Sequence, residues 1–201
     1  MTERLPRAPL PRLRDSTAAE LLHAARRFQE AALEWHRTAP AASDTNDRVT
    51  ARALHLHALN FDLWHHEDAV RRPGVGDPEV ARGKRAIDDL NARRNAAVEN
   101  LDATLLERLD PVRSAPLHTE TPAMIVDRLS VLTLRMVHTP DAERNGSRLA
   151  VLEQQYDDLI GGLERFLACI RDGHIGFTVY RQFKSAGQQG YCTLFEDPGE
   201  R

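Results

Sequence analysis

Residues 57 to 72 read HALNFDLWHHEDAVRR, and within them Asn60, Trp64, His65, Glu67 and Asp68 bring an amide, an indole, an imidazole and two carboxylates onto one helical segment. Such a set can hold a small polar ligand and move a proton: the carboxylate or imidazole acts as acid or base and the amide orients a hydroxyl or carbonyl. At 100° per residue, His57, Asn60, Trp64, Glu67, Asp68 and Arg71 fall within an arc of about 100°, flanked by Leu56, Leu59, Leu63 and Val70. The polar line therefore borders an apolar one, with His66 and Asp62 left on the outside.

Two further segments repeat the pattern. Lys84, Asp88, Asn91, Asn95, Glu99 and Asp102 share an arc of about 80° beside Ile87, Leu90, Val98, Leu101 and Leu105. A solvated face carries long charges of opposite sign in i,i+4 pairs, whereas this line holds two asparagines and three acids behind one lysine. Asp127, Arg128, Arg135 and His138 occupy about 100° of a third helix that is otherwise apolar and should be central. Charges on a central helix need partners or a wet cavity, so the three lines are expected to converge.

On this reading Asp68, Asp88 and Glu99 are candidate acid or base groups and His65 and His138 candidate proton shuttles. Asn60, Trp64, Glu67, Asn91, Asn95 and Asp127 would line the ligand, with Lys84, Arg128 and Arg135 gripping an anionic or sugar-like molecule from a biosynthetic pathway. The plainer reading is a structural network between helices, with Trp64 as core packing whose N–H is satisfied and His55, His66, His118 and His174 as surface groups.

No nucleophile elbow, phosphate-binding glycine loop or HExxH names a reaction, and neither a transition-metal site nor a cofactor is expected. Glu99-x-x-Asp102 with Glu67 and Asp68 looks locally like the acidic signature of all-α phosphoanhydride hydrolases, which would hold magnesium, but a first E-x-x-E is missing. Glu20-x-x-His23 and Asp62-x-x-His65 approach a di-iron pattern in the wrong helix order. A contrasting class is a non-catalytic helical partner of a pathway enzyme, docking through an arginine-rich arm and a helix face.

The elements that must position these residues are helical. A capping-box pattern at Thr17 and Glu20 predicts a helix from 15 or 16 to about 37; the cap cluster 44–47 opens a second that ends at Arg72 before Pro73 and Gly74. Asp77-Pro78 opens a third that runs to Pro111, Thr121-Pro122 a fourth to about His138, and Ser147 a fifth closed by Gly173. The expected fold is all-α: a single-domain bundle of about five helices over residues 15–185, with an N-terminal arm (1–14), an irregular C-terminal extension and a loose tail (186–201).

Composition bounds the rest. The 201 residues suffice for one core, and a net charge of −3 gives no reason to expect nucleic acid. Apolar runs are short and no leader pattern opens the chain, so no membrane partner and a cytoplasmic location are expected. Cys169 and Cys192, without CxxC spacing, read as reduced thiols. A homodimer stays open.

Residues 60–72, 84–102, 119–139 (TETPAMIVDRLSVLTLRMVHT) and 180–184 (YRQFK) together resemble the bacterial family known as domain of unknown function 4254, over about residues 45–185. The matching positions are Asn60, Trp64, His65, Glu67, Asp68, Lys84, Asp88, Asn91, Arg94, Asn95, Glu120, Asp127, Arg128 and Ser130. Ala96 stands where the family pattern has an aspartate, and FKSAGQQG replaces its polar tail. The resemblance implies a helical fold and a polar signature but no activity.

Overall fold

A computed structural model of the chain describes residues 11–38, 40, 48–139 and 147–181. Six helices run through them: α1 (Pro11–Arg26), α2 (Phe28–Trp35), α3 (Arg48–Val70), α4 (Asp77–Leu109), α5 (Pro122–Val137) and α6 (Ser147–Arg171). The expected first helix is two. It opens earlier, at Pro11, so Thr17 and Glu20 lie inside it and form no cap, and it breaks at Arg27. That break seats Phe28, stacked on the His57 ring at 4.3 Å, with its carbonyl turned to the same imidazole. Residues 1–10 and the tail 186–201 lie outside the described residues.

The remaining boundaries follow their caps. Gly76, extended at φ −81 and ψ 155, precedes α4, so Asp77 is the first helical residue rather than its cap, and Asp77 and Glu79 place negative charge against the helix N-terminus. Thr121 caps α5 by accepting from the Met124 amide. Beyond α6, Gly173 takes φ 76, its amide donates to the Ile170 carbonyl and the His174 amide reaches Cys169, the paired closure of a left-handed C-terminal cap.

α3 and α4 form the long antiparallel hairpin against which the rest assembles; α5 lies against α2, α3, α4 and α6, and α1 crosses α3, α4 and α6. One continuous core holds Leu21, Phe28, Leu56, Ile87, Leu101, Leu105, Leu129, Leu163 and Leu167. Residues after α6 return to the body: Gly176 pairs with Leu117 in a parallel bridge and Phe177 is buried in the core. No helix among the described residues is long and apolar enough to cross a membrane.

Candidate functional site

The apolar length of α5 buries one carboxylate, Asp127, and two hydroxyls, Ser130 and Thr133, of which Thr133 turns back to the Leu129 carbonyl of its own helix. A buried carboxylate must be paired and hydrogen-bonded. Arg94 of α4 donates to Asp127 Oδ1 from Nε at 2.8 Å and to Oδ2 from Nη2, and Asn60 of α3 donates to Asp127 Oδ1 at 2.9 Å and to Ser130 Oγ at 3.0 Å. Three helices thus meet at one acid.

Behind it the network has a fixed proton order. The Phe28 carbonyl, 2.9 Å from His57 Nε2, can only accept, so Nε2 carries the hydrogen. Nδ1 is then the acceptor for the Ser130 hydroxyl at 2.7 Å. Burial pushes the imidazole down to about 4, its bond to Phe28 opposing only in part, and His57 is neutral at neutral pH.

Two hollows flank this junction. One, of about 560 Å³ between α4, α5 and α6, is lined by Arg94, Asp127, Arg128, Arg135, Gln155 and Asp158 over Val131, Leu132 and Leu159. The other, of about 240 Å³ between α3, α4 and α5, is lined by Asn60, Trp64, Glu67, Asp68, Arg71, Asn91 and Arg94 with Leu63, Val131 and Leu134. Arg94 is on the wall of both. The guanidinium has five N–H donors, of which Asp127 takes those on Nε and one on Nη2; the others have no partner among the described residues.

A family model described as protein of unknown function (DUF4254) matches residues 50–179. The chain belongs to the DUF4254 family. No curated protein and no solved structure matches it. The matched span takes in nearly all of α3 and the whole of α4, α5 and α6, hence the Asn60, Arg94 and Asp127 junction and both hollows. α1 and α2, which supply the Phe28 carbonyl, precede it.

In this DUF4254 chain the expected site residues separate along the helices. Asn60, Trp64, Glu67, Asp68 and Asn91 gather around the smaller hollow, and Asp127, Arg128 and Arg135 around the larger. Lys84 and Asp88 pair with each other at 2.6 Å on an exposed turn, where they line neither of these two hollows; Asp88 draws the Lys84 ammonium upward in pKa. Asn95 and Glu99 are half-buried further along, with Glu99 about 16 Å from Asp88 by helix rise. The three carboxylates Asp68, Asp88 and Glu99 therefore do not meet. Asp102 does not join Glu67 and Asp68 either: it accepts from the Thr121 hydroxyl and from the Ala123 amide at 3.0 Å, bracing the start of α5. Arg128 turns to Glu120 at 2.8 Å.

His65 and His138 do come together, with ring centroids 5.3 Å apart, and Trp64 stacks on His138 at 4.9 Å. Burial lowers both imidazoles, and Asp68 opposes this at each. The Trp64 indole N–H is buried without a partner among the described residues, contrary to the expectation that it is satisfied. His55, His66 and His174 are exposed, and His118 is half-buried. The sequence candidates omitted His36, which joins His65 and His138, and took up Arg94 only through the family pattern. A lone histidine at a helix end and an arginine in a charge-rich helix give no spacing signal.

Proposed function

We propose that this chain binds a small anionic, hydroxyl-bearing molecule in the two hollows that meet at Arg94, with Asp68 on the α3 side available for proton transfer. The observation that carries the reading is the fixed guanidinium: Asp127, itself held by Asn60, keeps Arg94 in place, and its unengaged donors belong to a residue on both walls. Arg135, exposed and without an ion pair among the described residues, adds a second cation to the larger hollow, while Asn60 and Asn91 offer amides to hydroxyls in the smaller.

The test is a titration of the full chain with inorganic phosphate, a sugar phosphate and a dicarboxylate, followed by calorimetry and amide chemical shifts. Saturable binding at about millimolar Kd or tighter is expected for at least one of them, weakened about tenfold or more by Arg94→Gln and several-fold by Arg135→Gln. Equal binding by wild type and Arg94→Gln, or none at all, overturns the reading.

A further inference from the structure

His36 and His138 are the residues that close α2 and α5 at their C-terminal ends. Each ring has Nδ1 2.7 Å from the carbonyl four residues earlier, Ala32 for His36 and Leu134 for His138. A carbonyl oxygen only accepts, so each Nδ1 donates and each neutral ring presents a bare lone pair at Nε2. Those two Nε2 atoms lie 3.0 Å apart. Two lone pairs at that distance repel unless something positive sits between them. A third ring completes the group: His65 has Nε2 buried and without a partner among the described residues, and one nitrogen from each of the three rings lies within 4.8 Å of the others.

We propose that His36, His65 and His138 bind a divalent transition-metal ion of the zinc type, with a fourth position open on the exposed His36 side. A shared proton would answer only the His36 and His138 contact and would leave His65 Nε2 unsatisfied. The surroundings favour a cation: two helix C-termini present their negative ends, and Asp68 acts electrostatically on both His65 and His138.

The carbonyls of Ala32 and Leu134 serve as outer partners that fix tautomer and ring angle, as metal-bound histidines use. Phe61 packs edge-on against His36 and His65, and Trp64 covers His138, so the rings are held by an aromatic shell. Zinc bonds of about 2.0–2.1 Å in a tetrahedron separate ligand nitrogens by about 3.3 Å. The His36 and His138 pair, at 3.0 Å, is already near that spacing, and the His65 nitrogen lies within 4.8 Å of both. Imidazole ligands suit zinc, copper, nickel and iron(II) over magnesium or calcium. The inference is independent of anion binding at Arg94.

The experiment takes the untagged full chain, stripped with a chelator, and titrates it with Zn²⁺ against a chromophoric competitor and with Co²⁺ by visible absorption. One ion per chain is expected, with micromolar or tighter affinity, a tetrahedral Co²⁺ band and a zinc-dependent rise in Tm. His36→Gln, an exposed site whose fold is checked by circular dichroism in chelator, should lose about a hundredfold in affinity and the Tm rise; His65→Gln should lose similarly, and His66→Gln should match wild type. Sub-stoichiometric or absent zinc binding, unchanged affinity in His36→Gln, or a titrating proton shared between His36 and His138 in ¹⁵N spectra with zinc present overturns it.

Discussion

Arg94 of α4 closes on both carboxylate oxygens of Asp127 of α5, and Asn60 of α3 donates to the same carboxylate, so one acid fixes three helices and one guanidinium at once. Replacing Asp127 by Asn keeps the volume but removes the countercharge of a largely covered arginine. The Arg94 side chain retains 29% exposure and can still reach water, so the loss should be about 2 kcal/mol, below that of a fully buried pair. Urea denaturation of Asp127→Asn measures it, and a midpoint equal to wild type would show that the pair does not hold the junction.

His57 and Asp102 give acid stability opposite signs. The unfolded chain protonates His57 near 6.5 but the folded chain refuses the proton until about 4, so folding loses about 3 kcal/mol as pH falls through that window. Burial raises Asp102 from 3.8 to about 6, against its bonds to Thr121 and Ala123, so the folded chain takes up that proton first and gains stability as pH falls from about 6 to 4. The two contributions offset in the wild type. Relative to it, Asp102→Asn should lose Tm more steeply on acidification below 6.5, and His57→Gln less steeply. Parallel Tm curves for all three proteins would remove both assignments.

Thr121 does two jobs with one hydroxyl, accepting from the Met124 amide and donating to Asp102. Thr121→Ala should cost about 1–2 kcal/mol and Thr121→Ser much less. Because the Asp102 bond is shared, Thr121→Ala and Asp102→Asn should be non-additive in a double-mutant cycle, by about 0.5 kcal/mol or more. Strict additivity would mean that the α5 cap stands without Asp102.

The helices that could be read from residues alone were those with punctuation: Thr121-Pro122, Gly173 and the Gly76-Asp77-Pro78 run mark ends by local chemistry. Arg27 interrupts the first helix with neither glycine nor proline, and the interruption is visible only once Phe28 is seen over His57. The polar lines were legible as arcs because angle is set by the helix, whereas depth along the line is set by which neighbours reach it. Lys84 and Asp88 share the arc of Asn91, yet they stay exposed where Asn91 lines a hollow. His36 belongs to a cluster assembled from three helices, a relation that no sequence interval encodes. Arg94 reads as a surface cation until Asp127 is found opposite it.

Gly173 closes α6 with φ 76, a conformation that β-carbons oppose, and a methyl group there would also meet Val112 Cγ2 at 3.0 Å. Val112 is exposed and can give way, so the backbone conformation accounts for most of the penalty. Gly173→Ala should cost about 1 kcal/mol, and Gly173→Asn less, since asparagine tolerates the left-handed region. The effect should also be local: hydrogen exchange should quicken at the amides of Gly173 and His174, which close the cap, and at Gly176, which bonds to Pro116. Equal denaturation midpoints and exchange for wild type and Gly173→Ala would mean that the return of Phe177 to the core, rather than the cap, sets the end of the helix.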